Sequence, residues 1–341
     1  WPKEYGGRGG SAIQAAIFNQ EQSHFEVAVG LFAVATGMVG PTLISHGTDA
    51  QKSWALDSML RGDEVWCQLF SEPGAGSDLA GLSTRAVRDG DEWVVNGQKV
   101  WTSGAHHSDW GILLARTDPD APRHRGITYL LVDMRTAGID VRPLRQINGV
   151  AHFNEVFLTD VRIPASNVVG EVNGGWGVAL TTLTSERTLI GGGVGLRFDD
   201  LRHLAVRAGR TDGAAARQSL AGAYTRFELL RYLGLRVQTA ISQGRTPGPE
   251  SSVLKLAYSR HVAANGDLVL ALEGAAGMLF AGDANDGGFW QQLFLGQWSS
   301  RLGGGTDEVQ RNIIGERVLG LPGEPRLDKD TPFRRLATGA T

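Results

Sequence analysis

The chain contains very little cysteine and carries very little net charge. Its 341 residues include one cysteine, Cys67, which excludes an internal disulfide and fits a reducing compartment. Because Cys67 stands between Trp66 and Gln68 in a strand-like run, we expect a packed thiol rather than a nucleophile. A formal net charge of −3 gives no reason to expect a nucleic-acid partner or an anionic membrane surface.

Charged side chains are absent from residues 27–45, so a membrane span has to be weighed. The stretch includes Gly37, Gly40 and Pro41, which predict a buried helix pair broken near residues 37–41 rather than a span. We therefore expect no membrane span. No secretory signal is visible, and the chain opens on Trp1 instead of methionine.

Glycine is abundant, with 47 residues, about twice the usual share. The run Gly-Ala-Gly-Ser at residues 74–77, with Gly81 behind it, would let backbone approach a ligand closely. Leu79 stands where a dinucleotide fingerprint needs a third glycine, which excludes that kind of site. Downstream, Asn96-Gly97 between two strand-like runs is typical of a two-residue hairpin turn.

Three kinds of pattern follow one another along the chain. Residues 11–65 show apolar residues at helical spacing, residues 66–169 read as short strands separated by turns, and helical periodicity returns from Gly175. We predict an α+β protein with domains at 1–65, 66–170 and 171–341. The predicted strands cover residues 93–95, 99–102, 111–115, 128–133 and 155–158, and the predicted long helices, enough for a bundle, cover 176–208, 214–243, 250–281 and 307–319.

Two motifs stand in the strand-rich part. The first is Ser-Glu-Pro-Gly-Ala-Gly-Ser-Asp at residues 71–78, and the second is Asn-Gly-Gln-Lys-Val-Trp-Thr-Ser at residues 96–103. They resemble the signature of the acyl-CoA dehydrogenase family, and similar pieces at residues 2–7, 157–164 and 305–311 extend the resemblance over nearly the whole chain. The resemblance implies three domains: N-terminal helices that begin upstream of Trp1, a middle antiparallel β domain that binds flavin, and a C-terminal four-helix bundle.

The resemblance also implies a chemistry. Family members use FAD to convert an acyl-CoA thioester to the trans-2-enoyl-CoA, as in β-oxidation and other lipid catabolism, and pass electrons to an electron-transfer flavoprotein. We expect a homo-oligomer, a dimer or a dimer of dimers (homotetramer). The expected location is the bacterial cytoplasm, or the mitochondrial matrix if the source is eukaryotic, with any targeting signal upstream.

Such a reaction needs a base for the α-proton. In the family this is a glutamate, either before Gly-Thr in a late motif or before an arginine on the first helix of the C-terminal domain. Gly304 occupies the first position and cannot act, whereas Glu186, before Arg187, occupies the second. Leu183, Glu186 and Ile190 are spaced i, i+3 and i+7, which places Glu186 on an apolar stripe and favours a raised pKa. An ion pair with a neighbouring arginine is the alternative interpretation.

The resemblance assigns the other site residues by position. Ser103 would lie near flavin N5, and the Gly304 N–H would hold the thioester oxygen, although an ordinary helix start with Thr306 or Asp307 as N-cap explains the same glycine run. The family's Arg-x-x-Phe-Gly stretch is not recognisable, and the nearest basic cluster is at residues 207–210. The expected flavin-binding residues are Gln68, Phe70, Ser71, Ser77, Trp101, Thr102, Ser103, Thr306 and Glu308, with Glu273 and Gly277 reaching a neighbouring subunit's FAD; the expected substrate-binding residues are Ser77, Arg187, Gly304 and Gly305.

Histidine gives little support for a metal centre. His106 and His107 are adjacent in a predicted strand or at its edge and would point to opposite faces, and His124 lies in a basic loop. We therefore expect no metal.

Two other functions stay open. One is a subunit of a heteromeric acyl-CoA dehydrogenase that needs a different partner chain, as in family members that degrade sterol side chains. The other is a flavin oxidase or monooxygenase on the same fold. The glutamate at position 186 favours catalysis in this chain, and the identity of the acyl group is not readable from scattered apolar residues.

Overall fold

The computed structural model describes residues 1–22, 25, 30–191, 196–245, 248–325 and 328–336. Two compact units divide the chain: the first comprises Trp1–Gly10, Glu26–Glu186 and Glu324–Thr341, and the second comprises Ser11–Phe25 and Arg187–Gly323. The first unit contains a β-sheet with helices and the second is helical, which confirms the predicted α+β class. The predicted domain limits at residues 65 and 170 stay a prediction.

A mixed sheet forms the centre of the first unit. Its strand order is β6-β7-β3-β2-β4-β5-β8, and β1 pairs with β4. Both β1 and β2 run parallel to β4, so the expectation of an antiparallel β domain is wrong in this part of the sheet. The strands are β1 Trp66–Leu69, β2 Arg85–Asp89, β3 Glu92–Ser103, β4 Trp110–Arg116, β5 Ile127–Asp133, β6 Ile139–Leu144, β7 Phe153–Pro164 and β8 Val168–Val169.

Strands β4 and β5 are buried on both faces, as their unbroken apolar runs require. Along β4, Ile112 and Leu114 enter one apolar cluster, while Leu113 and Ala115 enter another. This alternation is the two-residue period of a strand, and it shows that the sheet separates two layers of core. Cys67 in β1 belongs to the second cluster, is fully buried, and burial raises the pKa of its thiol to about 12.

The predicted hairpin at Asn96-Gly97 is wrong, because β3 runs straight through these residues. The turn lies earlier, at Gly90, between β2 and β3. Asn96 instead exchanges two hydrogen bonds of 2.9 Å with Asp160 of β7, at a shift in register. At Gly97, an added Cβ would lie 2.4 Å from Thr84 Oγ1. Tertiary contacts therefore explain a dipeptide that local sequence assigns to a turn.

The helices of the first unit are α2 Gly40–His46, α3 Asp49–Arg61 and the beginning of α4 Gly175–Gly191. A π-helical turn at Ala35–Val39 leads into α2, so the predicted break near residues 37–41 is wrong. The chain turns instead at Gly47, where Thr48 caps α3 by accepting a hydrogen bond from the Gln51 N–H. Within the described residues, no helix combines the length and the apolar character that crossing a bilayer requires.

The second unit is built from helices: α1 Ala12–Gln22, α5 Phe198–Arg207, α6 Ala214–Ser242, α7 Ser251–Glu273, α8 Phe289–Leu302 and α9 Asp307–Ile313. Its core includes Leu201, Leu272 and Trp290. The predicted helix over 176–208 is two helices, α4 and α5, and residues 192–195 between them lie outside the described residues. Helix α8 was not predicted, because it buries Gln291 while Phe289 stays half exposed, the reverse of an amphipathic pattern.

Replacing Gly97 with alanine tests the close approach of Gly97 to Thr84. The added methyl group would meet the Thr84 side chain and backbone at 2.4 to 2.7 Å, so we expect a loss of about 1–3 kcal/mol in the free energy of unfolding. Urea denaturation measures it. Gly177→Ala in α4 is the control, because no atom lies within 4 Å of its added Cβ. Equal stability of both variants would contradict the contact.

Candidate active site

A buried ion pair joins the two sequence motifs. Lys99 Nζ lies 2.7 Å from Glu72 Oε1 and donates a second hydrogen bond of 3.0 Å to the Phe70 carbonyl. The side chains of Lys99 and Glu72 are 0% and 5% exposed. The Glu72 carboxylate also accepts hydrogen bonds from the backbone N–H groups of Ser83 and Thr84, at 2.7 and 2.9 Å. The glycine-rich loop is therefore fixed to the middle of β3 by charge.

The ionisation of this pair follows from its surroundings. Burial by itself raises the pKa of a carboxyl group, but the Lys99 charge and the hydrogen bonds outweigh burial and lower the pKa of Glu72 from 4.5 to about 2. Burial lowers the pKa of Lys99, and the attraction of Glu72 opposes that change. Each charge is thus held in the interior by the other.

The loop after Glu72 is a tight turn that is open on its outer side. Glu72 and Ala75 exchange two backbone hydrogen bonds of 3.0 Å around residues 73 and 74. At Gly74 and Gly76, no protein atom lies within 4 Å of an added Cβ, so packing within the chain does not require glycine there. Ser77 is exposed on the same loop. The turn therefore leaves room for a ligand to reach its backbone.

A bulge in β3 presents Trp101 on the surface. The register with β7 shifts between Lys99 and Thr102, and Trp101 adopts a φ of 61°, which is rare for a bulky side chain. Its indole is 59% exposed and contacts the edge of Phe153. Thr102 is buried and Ser103 is exposed. The bulge thus places an aromatic face and a hydroxyl group side by side on the outside of the sheet.

Hydrogen bonds of Asn154 to Thr102 and His106 support the bulge. Asn154 Nδ2 donates to the Thr102 carbonyl at 2.9 Å, and Asn154 Oδ1 lies 2.9 Å from His106 Nδ1. His106 and His107 lie in the 3-10 turn Ala105–His107 with ring centroids 3.9 Å apart, so their predicted placement in a strand with rings on opposite faces is wrong. In the described part of the chain, no three His, Cys, Asp or Glu side chains group as a metal site.

Helix α4 carries Glu186 beside the sheet. Thr182, one turn before Glu186, is fully buried and lies 3.1 Å from the Tyr129 hydroxyl, which fixes this face of the helix. Gln68 Nε2 donates to Glu186 Oε2 across 3.5 Å, a long contact, and Glu186 is half-buried. Phe70 packs edge-on against Tyr129. The first unit therefore brings the predicted base together with the predicted flavin residues Gln68 and Phe70; the side chains of Arg187 and Ile190 lie outside the described residues.

The late glycine run lies in the second unit. Gly304 and Gly305 have φ values of 64° and 89°, which favour glycine. Thr306 is the N-cap of α9 and accepts a hydrogen bond of 3.2 Å from the Val309 N–H, so the ordinary helix start weighed above is present. Glu308 is exposed in the first turn of α9 and pairs with Arg311 at 3.1 Å.

The other predicted cofactor segment of the second unit lies at the end of α7. Glu273 is the last residue of α7 and accepts a hydrogen bond of 2.8 Å from Asn285, and Gly277 lies in the 3-10 segment Gly274–Met278. In the nearby basic cluster, Arg207 forms an ion pair of 2.6 Å with Asp286. The positive charge of the Arg207 guanidinium is thus paired with a carboxylate of the same unit.

Sequence reasoning assigned no role to four buried polar residues that shape these loops: Glu72, Lys99, Lys255 and Gln310. Lys99 stands between Gln98 and Val100 of a strand, which gives no signal, but Lys255 stands between Leu254 and Leu256 of a helix. A charged side chain in such a pattern signals a buried partner. The partner itself comes from a distant part of the sequence and is not readable in advance.

Comparison with known families identifies the class. The chain belongs to the acyl-CoA dehydrogenase family: the family's N-terminal, middle and C-terminal domain models match residues 1–63, 67–161 and 173–319. This confirms the three-domain fold that the resemblance implied. The family consists of oxidoreductases, and FAD is its expected cofactor.

Particular relatives are known as well. The chain is 41% identical to acyl-CoA dehydrogenase IpdE1 of Mycobacterium tuberculosis over 96% of its own length and 85% of that protein. It spans only 44% of the length of another curated relative. Its fold is similar to that of the Tcur3481-Tcur3483 steroid ACAD (TM-score 0.85, 35% identity, 95% of this chain and 85% of that one). It is also similar to the ChsE4-ChsE5 complex of M. tuberculosis (TM-score 0.82, 34% identity, 95% and 86% covered).

Removing the Lys99 charge tests the ion pair. Lys99→Met leaves the Glu72 carboxylate buried without its counter-charge, so we expect a loss of about 3–5 kcal/mol at neutral pH. Because the folded pKa of Glu72, about 2, lies below its unfolded value of 4.5, the pair stabilises the protein above pH 4.5 and this contribution is lost as pH falls toward 2. The difference in the free energy of unfolding between wild type and Lys99→Met, measured by urea denaturation, should therefore become smaller as the pH falls.

The control for this prediction is the double variant Glu72→Gln, Lys99→Met. Removing both charges should recover part of the stability that the single variant loses. If the difference in unfolding free energy between wild type and Lys99→Met stays constant from neutral pH to pH 3, the pair contributes no charge interaction.

Proposed function

We propose that this chain catalyses the FAD-dependent α,β-dehydrogenation of an acyl-CoA thioester to the trans-2-enoyl-CoA. The observation that carries the proposal is that a half-buried carboxylate on α4, Glu186, meets Gln68 of the sheet within one unit. The same unit bears the open turn of residues 72–77 and the exposed face at Trp101 and Ser103, together called the cradle below. Family membership supports the same reaction class.

The residues of the cradle fit a flavin in their chemistry. Trp101 offers an exposed aromatic face, Ser77 and Ser103 offer exposed hydroxyl groups, and the turn at Gly74 and Gly76 offers approachable backbone. An aromatic face beside hydrogen-bond donors suits a planar heterocycle that carries carbonyl oxygens and ring nitrogens. When bound, FAD supplies the two-electron acceptor for the hydride that leaves the β-carbon.

Glu186 takes the α-proton in this proposal. Its carboxylate is the base, and the proton ends on that carboxylate as the α-carbon electrons form the new double bond. The Gln68 amide, donating to Oε2, orients the group. The backbone N–H of Gly304 is assigned to the thioester oxygen, with Gly305 beside it, where donors stabilise the developing enolate.

The relatives support a substrate class and an assembly for this chain. Similarity to a steroid ACAD supports a bulky steroid side-chain thioester as the substrate. Similarity to the ChsE4-ChsE5 complex supports a heteromeric assembly as the second candidate, beside a homo-oligomer. In either assembly, Glu273 and Gly277 are assigned to the flavin of a neighbouring subunit, and an electron-transfer flavoprotein is assigned as the electron acceptor.

Anaerobic mixing with acyl-CoAs tests the proposed function. We expect the flavin of the purified protein to lose its visible absorbance with steroid side-chain CoA thioesters and to respond more slowly to short straight-chain ones. If the chain purifies without flavin and gains it only when co-expressed with a second acyl-CoA dehydrogenase chain, the heteromeric form is supported. A flavin-loaded protein that no acyl-CoA bleaches would contradict dehydrogenation.

Replacing the base tests the role of Glu186. Glu186→Gln keeps the size of the side chain but removes its affinity for a proton, so acyl-CoA should still perturb the flavin spectrum while reduction slows by about 10²–10⁴-fold. Stopped-flow absorbance measures both effects. Glu171→Gln is the control, because Glu171 is an exposed glutamate of the same unit without an assigned role. Reduction of Glu186→Gln at the wild-type rate would show that the base lies elsewhere.

A second glutamate position refines this test. Adding Gly304→Glu to Glu186→Gln places a carboxylate at the family's alternative base position. The φ of 64° at Gly304 puts a side chain there in the left-handed region, at about 1–2 kcal/mol for an L residue. We therefore expect partial recovery of the reduction rate, not the wild-type value.

A further inference from the structure

Two buried donors converge on the glycine loop of residues 303–305. Lys255, near the beginning of α7, is fully buried, and its Nζ donates a hydrogen bond of 2.6 Å to the Gly305 carbonyl. Gln310 of α9, also fully buried, donates to the Gly304 carbonyl at 2.9 Å and approaches the Gly305 carbonyl at 3.3 Å. Two helices thus hold two consecutive carbonyls of a loop that has no side chains of its own.

A buried carboxylate of the same unit, Asp307, interacts with the charge of Lys255. Asp307 is 1% exposed, accepts a hydrogen bond of 2.5 Å from Ser259, and pairs with Arg301 at 3.2 Å. Burial raises the pKa of Asp307, but the Ser259 hydrogen bond, Arg301 and the nearby Lys255 charge together lower it. A carboxylate near the ammonium group lowers the cost of burying it.

The held carbonyls determine where the loop's N–H groups point. In a trans peptide, the C=O of one residue and the N–H of the next lie in one plane and point in opposite directions. Since the carbonyls of Gly304 and Gly305 point to Gln310 and Lys255, the N–H groups of Gly305 and Thr306 point the other way. A charge-assisted bond to the Gly305 carbonyl also polarises the amide that carries the Thr306 N–H and makes it a stronger donor.

We infer that Lys255 and Gln310 are positioning residues that fix the amide planes of the glycine loop for binding the carbonyl of an acyl thioester. Two glycines with positive φ lose much conformational freedom on folding and do not hold one conformation by themselves. The two donors supply that restraint from outside the loop. The inference rests on the proposed function and adds to it that the two amide planes next to the Gly304 N–H, which carry the N–H groups of Gly305 and Thr306, are kept in place.

Two ligands that differ only at the carbonyl test this role. The enoyl-CoA product carries the thioester oxygen, whereas a thioether analogue with a methylene group in place of the carbonyl lacks it. In Lys255→Met, we expect enoyl-CoA to bind about 10-fold more weakly, the effect of one well-placed hydrogen bond. Binding of the thioether and the visible spectrum of the bound flavin should change little, while kcat/KM falls.

Ser259→Ala is the matched control. It removes a buried hydrogen bond to the same Asp307 but touches no loop carbonyl, so it should lower the melting temperature and leave the ratio of the two affinities unchanged. If Lys255→Met does not fold, Gln310→Met carries the test with the same expected pattern. Equal weakening of both ligands, or of neither, would overturn the positioning role. Failure of the wild-type protein to bind either ligand would instead overturn the proposed function.

Discussion

The rest of the candidate site depends on one interaction, the buried ion pair between Glu72 and Lys99. It connects a glycine-rich turn to a strand that carries Trp101 and Ser103 two and four residues further on. Without the pair, turn and strand would meet through backbone contacts such as the hydrogen bond from the Val100 N–H to the Ser71 carbonyl. The interior accepts both charges because each has its counter-charge and further hydrogen-bond partners.

Periodicity predicted the elements whose surroundings are uniform along their length. β4 and β5 are buried on both faces and read as apolar runs. The prediction failed where a distant contact decides the structure. Asn96-Gly97 has the chemistry of a turn, but Asp160 and Thr84 give the same two residues a place inside a strand. Helix α8 was not predicted because its pattern is not amphipathic: Gln291 is buried, whereas Phe289 is half exposed.

The sequence identified residues of the candidate site but not how they are arranged in space. The resemblance named Gln68, Phe70 and Trp101 as flavin residues and singled out Glu186, with helical spacing in support. Gln68 and Trp101 lie in strands β1 and β3 of one sheet, and Phe70 directly follows β1. The contact between Gln68 and Glu186 joins residues 118 positions apart, and no local pattern contains it. The same holds for Lys255, whose partner carbonyl is 50 positions away. Sequence shows that a buried charge needs a partner, and only the fold selects it.

The hydrogen bonds that hold the glycine-rich turn, and not its glycine content, determine how its bonded amides exchange with solvent. Backbone N–H groups of Ala75, Ser83 and Thr84 all donate to Glu72, to its carbonyl or its carboxylate. For these amides to exchange with solvent, the segment must open and expose a charged pair that is almost without access to water. Their exchange therefore reports a large cooperative opening rather than the fraying usual for loops. We therefore expect these three amides to exchange slowly, although they border a run rich in glycine.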